Sequence, residues 1–300
     1  MARKKIVNEI SGVVFSLPWI VARDEGLFAA EDIDVEFVKA KQPEGLPRIV
    51  EDHRLVPSIA GHKPFEDKQA EVYRACHWGQ IRRAADSERG GRIAGKRPAI
   101  GIQALYSAPG SRFTHPQTLA NQPIAVRFHR GSHYATLQML EGFLKREEIK
   151  TVNIAHAEGY EAARSGEVAA VSLMEPWVTL AEKEGFQKII ETHYVGTEIA
   201  APEIDEETWT KVDRALKKAV HLINADKKKY VHYLIEGLPE KYGKLLTPDD
   251  FYLPRLRYVE PGPYDEKEFQ QSYDWMVSWG LVTPDSCYDA LVDVKLAQIA

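Results

Sequence analysis

The most reactive combination of side chains lies in the run Val72 to Arg83, VYRACHWGQIRR. It gathers a guanidinium (Arg74), a thiol (Cys76), an imidazole (His77), an indole (Trp78) and a glycine (Gly79). A thiol beside a cation or at a helix start ionises more readily than a free cysteine and becomes a nucleophile near neutral pH. Side chains alternate along a strand, so Arg74 and Cys76 share a face, and His77 can engage Cys76 only if the strand has ended between them. On a catalytic reading Arg74 neutralises a substrate anion, His77 or His62 moves protons, and Cys76 is nucleophile or acid. The competing reading is structural, because cysteine is among the most often buried residue types.

Two further segments could contact a ligand. GSHYATLQML (Gly131 to Leu140) reads as a turn into a helix with Ser132 as N-cap; Gly131, Ser132, His133 and Tyr134 would face an anion with free backbone amides. His129 and His133 are four apart, yet Gly131 interrupts any helix between them and no third ligand is visible, so no metal is expected. In the second segment Glu175 could accept a hydrogen bond or act as a base, and Trp177 could stack on a ring; Pro176 beside them equally suits the opening of a helix. Phe15, Ser16 and Trp19 add polar and aromatic surface after the first strand, and together these groups favour an aromatic or heterocyclic ligand over a bare inorganic anion. No Gly-rich phosphate loop, Gly-x-Ser-x-Gly elbow, HExxH or EF-hand pattern occurs, and no cofactor is expected.

These residues need a scaffold large enough to bring them together. Three hundred residues, 44% hydrophobic and 28% charged, describe a globular chain long enough for two lobes. The net charge of −5 argues against a polyanion-binding surface, hence against nucleic acid. Two cysteines, Cys76 and Cys287, do not make a disulfide scaffold. The N-terminal stretch is a poor signal peptide and no run reaches the roughly 18 apolar residues of a membrane span, so a cytoplasmic location is expected, or a periplasmic one if a native leader has been removed.

Periodicity predicts strands at Lys4 to Ile10, Asp34 to Val38, Glu71 to Cys76, Ala99 to Tyr106, Ile124 to Phe128, Val152 to His156, Val168 to Met174 and Lys188 to Tyr194. Helices are predicted at Pro18 to Ala29, Ser132 to Lys145, Gly159 to Ser165, Pro176 to Gly185, Glu206 to Asn224, Lys227 to Leu234 and Glu266 to Trp279, with a short one after Pro284. The alternation implies an α/β fold with mostly parallel sheets. The proline-rich stretch Lys39 to Gln69, including Pro43, is too long for an ordinary connection and reads as a functional cover.

VARDEGLFAAEDIDVEFV (Val21 to Val38) resembles the N-terminal signature of periplasmic-binding-protein-like (type II) chains of the nitrate/sulfonate-binding and thiamine-pyrimidine-synthase (NMT1/THI5-like) group. SRFTHPQTLANQPIAVRFHRGSHYATLQML resembles the family's crossover into its second lobe, AARSGEVAAVSLMEPWVTLAEKEG its later Glu-Pro-Trp segment, and YDWMVSWGLVTPDSCYDALVD its terminal helix. The resemblance implies two α/β lobes, one formed by residues 1–106 and 197–300 and the other by 107–196, with ligand in the cleft between them. A partial likeness to aromatic sulfinate desulfinases appears in HKPFEDKQAEVYRACHWGQI, where His62 and Arg74 follow a similar order. The nucleophile position of those enzymes falls near Gly12 or Val13, where there is no cysteine. The pyrimidine synthases' cysteine-rich run is likewise replaced by VSLMEPW. The expectation is a cytoplasmic lyase or hydrolase, cofactor-independent, acting on a small aromatic or heterocyclic acid. The alternative is the binding component of an ABC-type uptake system, partnered by a permease, or a cytosolic ligand sensor without catalysis.

Overall fold

The computed structural model describes residues 3–10, 12–40 and 47–299; Pro43 lies outside them. The chain opens with β1 (Lys4–Ile10), α1 (Val13–Asp24), β2 (Ile33–Lys39), α2 (Lys63–Glu66), β3 (Val72–Cys76), α3 (His77–Asp86) and β4 (Arg92–Lys96). It crosses to β5 (Gly101–Ser107), β6 (Pro123–Val126), α4 (Gly131–Leu140), β7 (Lys150–Asn153), α5 (His156–Ser165), β8 (Ala170–Leu173), α6 (Trp177–Lys183) and β9 (Gln187–Tyr194). It returns through β10 (Gly196–Ala200) and ends in α7 (Glu206–Ala225), α8 (Lys227–Glu236), α9 (Glu240–Gly243), α10 (Glu266–Ser278), α11 (Tyr288–Leu291) and α12 (Val294–Ala297).

Two five-stranded sheets result, ordered β2-β1-β3-β10-β4 and β7-β6-β8-β5-β9. Each centres one lobe, and the chain passes between them at residues 97–100 and at Val195. The inner strands β3 and β5 are buried almost throughout because both faces are covered, whereas β1 exposes its first residues. Asp205 caps α7 by accepting from the Thr208 amide at 2.7 Å. Trp209, Val212, Leu216, Ala219 and Ile223 then form the buried stripe by which α7 packs against α1.

Four expectations change. The sheets are mixed: β10 runs antiparallel to β3 and β4, and β5 antiparallel to β8 and β9, because these strands carry the chain between lobes. Strand Gly101–Ser107 pairs within the second sheet, so the crossover precedes the expected boundary at 106. Helix α1 begins at Val13 and carries Pro18 inside it, which brings its N-terminus directly after β1. Strands β4 and β10 and helix α3 were not predicted. RIAGK and GTEIA are short and glycine-bearing, and α3 follows β3 without a single intervening residue. From the long proline-rich stretch, Val50 reaches across to the second lobe and exchanges backbone hydrogen bonds with Asn153 at 3.3 and 2.7 Å.

Candidate functional site

Four helices begin where strands end at the cleft between the lobes. Gly12 and Phe15 bring the start of α1, Cys76 the start of α3, Gly131 and Ser132 the start of α4, and His156 the start of α5; all line one cavity of roughly 70 Å³. First-turn amides lack intrahelical acceptors and carry the positive end of the helix dipole, so such a convergence favours an anion. Ser132 is not the N-cap that the sequence suggested. Arg130 holds that position without a side-chain cap bond, and Ser132 Oγ accepts instead from the Arg127 amide at 2.9 Å.

Arg127 and Arg130, both from the turn between β6 and α4, add charge to the same wall. Burial, then repulsion from Arg83 and Arg127, lowers the Arg130 pKa to about 9. Burial lowers that of Arg127 as well, with Glu158 opposing the shift. His156 titrates at about 3, because burial and both arginines disfavour the imidazolium, so it meets a ligand as a neutral ring. Among the described residues no Asp or Glu lines the cleft. Phe15, Met174 and Tyr194 supply apolar walls and Gln103 a neutral amide. A compact organic anion matches this lining: charge at the helix starts and arginines, apolar body against the rings.

The expected catalytic set does not assemble around one point. Cys76 lines the cleft, but its Sγ accepts from the Gly79 amide at 3.3 Å, and burial raises its pKa, which keeps the thiol protonated. The strand does end at Cys76, yet His77 turns away and donates from Nδ1 to the Val195 carbonyl at 2.5 Å; burial lowers its pKa to about 4. His62 is fully buried behind β1, stacked on Tyr73 and 2.6 Å from Glu9, outside the cleft lining. Arg74 touches the cleft, while its N–H groups are engaged by Glu198, Ser16 and Asn8.

Of the expected binding residues, Phe15, Gly131 and Ser132 line the cleft together with Arg74 and Cys76. The others lie outside that lining. Ser16 accepts from Arg74, and Trp19 donates to Glu198 in the core of the first lobe. Trp78 packs against Tyr134, Tyr194 and Trp275, and Gly79 is occupied with the Cys76 sulfur. His133 lies buried between Phe128 and His53, and Tyr134 is wholly enclosed. Glu175 is held by Arg255 at 2.8 Å and by Thr179; burial raises its pKa against those contacts. Trp177 packs on Tyr160 and Tyr242 inside the second lobe.

Sequence reading missed Gln103, Arg127, Arg130, His156, Met174 and Tyr194 as lining residues. Arg127 and Arg130 carried a usable signal, since they sit in the strand-to-helix turn immediately before Gly131. His156 was hidden because the strand was extended through it; it opens α5 instead. Tyr194 and Gln103 come from strands, where nothing local marks a cleft-facing position.

Contacts away from the ligand wall tie the lobes together. Trp275 of α10, which packs on α3, and Trp279 immediately after it both donate from Nε1 to Glu141 at the end of α4, each at 2.8 Å. Arg146 stacks over Trp279 and donates to Ser278. Arg83 donates to the His129 carbonyl, and His129 Nε2 donates to that of His53 at 2.9 Å.

Among solved structures, the fold of the whole chain has counterparts. The periplasmic aliphatic sulphonate binding protein SsuA from Escherichia coli superposes with a TM-score of 0.71 at 14% identity, over 98% of this chain and 97% of that one. The fold is that of a type II periplasmic binding protein. The ligand-binding component of an ABC-type import system from Staphylococcus aureus, solved with zinc bound, gives a TM-score of 0.74 at 14% identity, covering 99% of this chain and all (100%) of that one. The desulfurization enzyme DSZB shares this binding-protein architecture too, with a TM-score of 0.63 at 12% identity over 98% of each chain. No family model and no curated protein matches the sequence. The two-lobed expectation is thereby met. Among the described residues, no group of three or more His, Cys, Asp or Glu side chains could hold a metal ion. No helix there is long and apolar enough to cross a membrane.

Proposed function

We propose that this chain is a solute-binding protein that captures a small organic anion between its lobes, as the recognition component of an ABC-type uptake system. The observation that carries this reading is the meeting of four helix starts with Arg127 and Arg130 in a cleft whose described lining includes no carboxylate. The likeness to binding proteins for sulphonates and for import agrees with it. Phe15, Met174 and Tyr194 suit a carboxylic or sulfonic acid with a flat or branched apolar body. The reading carries a periplasmic or otherwise extracytoplasmic location, as for the E. coli relative in fold; the cytoplasmic expectation has no support in the comparisons.

The lyase or hydrolase reading has one observation in its favour, the Cys76 sulfur in the cleft of a fold that also hosts a desulfurization enzyme. Against it stand a thiol kept protonated by burial and two histidines, His62 and His77, that are committed elsewhere. The decisive experiment is calorimetric titration of dialysed protein with benzoate, benzenesulfonate, ethanesulfonate and their neutral amide or sulfone counterparts. Binding of an acid, unchanged by the protein over hours, supports capture. Conversion of the acid, or equal binding of the neutral compounds, rejects it.

A further inference from the structure

Arg97 lies in the first crossover between the lobes, only 1% exposed. Its backbone amide donates to the Gly196 carbonyl at 2.9 Å, at the start of β10 directly after the second crossover, and its Nε donates to the Ala99 carbonyl at 3.0 Å. The two terminal nitrogens, Nη1 and Nη2, are buried, and among the described residues the only polar side chain beside them is the Tyr194 hydroxyl, too poorly aligned for a full hydrogen bond. No carboxylate forms an ion pair with it in the described structure, in contrast to Arg74. The guanidinium instead stacks 3.7 Å from the Phe15 ring centroid and 5.4 Å from that of Tyr194. Both residues line the cleft, and Arg97 does not. The chain makes room for this arrangement: a β-carbon on Gly196 would collide with the guanidinium, and one on Gly131 with the Tyr194 hydroxyl.

A buried guanidinium without a carboxylate partner destabilises the protein that holds it, because its lost hydration is not fully replaced. Such a charge acts strongly on whatever enters the adjoining low-dielectric space. We propose that Arg97 is a specificity-determining residue of the cleft, a buried cation at the hinge with no carboxylate in contact, which favours anionic over neutral ligands through the Phe15 and Tyr194 rings. The inference rests on the binding-protein reading. It goes beyond the lining residues by assigning ligand charge selection to a side chain outside them. Phe15 presents a face polarised by the cation behind it, and the Tyr194 hydroxyl, beside the start of α4, becomes a stronger donor to the ligand.

The test compares wild type, Arg97→Met and Tyr194→Phe, singly and combined, with ethanesulfonate and its neutral counterpart ethyl methyl sulfone as probes. Arg97→Met is expected to weaken ethanesulfonate about tenfold and to leave the sulfone within about twofold. It should also leave the ligand-free melting temperature unchanged or higher, since methionine fills the space without a charge. In the double variant the loss should fall short of the sum of the single losses, because one residue acts through the other. Equal loss of both probes, or a lower ligand-free melting temperature, makes Arg97 a structural residue and overturns the inference. Wild type that binds ethanesulfonate no better than the sulfone overturns the binding-protein reading together with it. Wild type that prefers the anion while Arg97→Met retains that preference overturns the inference alone.

Discussion

Arg74 and Glu198 face each other at 3.0 Å inside the first lobe, both side chains almost completely withdrawn from solvent. The pair is saturated: Arg74 also donates to Ser16 and Asn8, and Trp19 donates to Glu198. An arginine that meets the cleft with its edge can therefore be architectural rather than a ligand contact. Glu198→Ala leaves the guanidinium buried without its counter-charge and should lower folding stability by about 3–5 kcal/mol, measured by urea unfolding. A loss below about 1 kcal/mol would show that water or another group already compensates Arg74.

Arg130 stands in the opposite situation. It lies in the cleft wall, its charge disfavoured by burial and by Arg83 and Arg127, and no carboxylate among the described residues is within ion-pair distance. Arg130→Met should weaken binding of an organic acid by about tenfold to a hundredfold without lowering the melting temperature of the free protein. Calorimetry with benzoate and benzenesulfonate checks the first part and scanning fluorimetry the second; undiminished affinity would place the anion elsewhere.

The two cysteines should react at very different rates. Cys287 is exposed, whereas Cys76 is buried, engaged by the Gly79 amide and held protonated by its surroundings. Iodoacetamide at neutral pH is expected to label Cys287 first, leaving Cys76 protected until the protein unfolds. Mass spectrometry of tryptic peptides reads the order. Rapid labelling of Cys76 in the folded chain would revive a nucleophilic role.

Glu9 provides a pH signature. Burial raises its pKa to about 7, against the opposing fields of Arg130, Arg83 and Arg74. The folded protein then holds a proton that the unfolded chain releases near pH 4.5, so this group stabilises fully below that value and its contribution fades as pH rises towards 7. Its partner His62 works in the other direction. Burial keeps its imidazole neutral, so the fold gains stability as pH rises towards 6.5, the unfolded value. Glu9→Gln removes only the first contribution. The stability of the variant relative to wild type should therefore increase between pH 5 and 7.5, by on the order of 1–3 kcal/mol. Chemical denaturation at several pH values measures it, and a difference that stays flat contradicts the buried, proton-holding carboxylate.

The parts of the molecule that were legible in the sequence are those governed by local pattern. The apolar alternation of Lys4 to Ile10 and the amphipathic run from Glu206 named β1 and α7 nearly to the residue. The turn before α4 pointed to the cleft because a strand followed by a glycine and a helix has few other geometries. What could not be read was the direction of individual side chains. Cys76, His77 and Arg74 adjoin in the chain, but a strand end sends one to the cleft, one to a hinge carbonyl and one into a saturated core cluster. Tyr194 and Arg97 gain their positions only from the two crossings between lobes, which depend on pairing across more than ninety residues, as in Arg97 with Gly196. Local periodicity carries no information about such closure.

The indoles of Trp275 and Trp279, both anchored to the carboxylate of Glu141, give the molecule an outer fastening remote from the ligand wall. Separating the halves must break these bonds and wet two tryptophans. On the proposed binding function, the lifetime of a captured guest is then governed partly by α10, which contributes nothing to the cleft lining. Evolution could lengthen or shorten retention by altering that fastening while leaving the chemistry of selection intact, and intrinsic tryptophan emission would follow each opening as it happens.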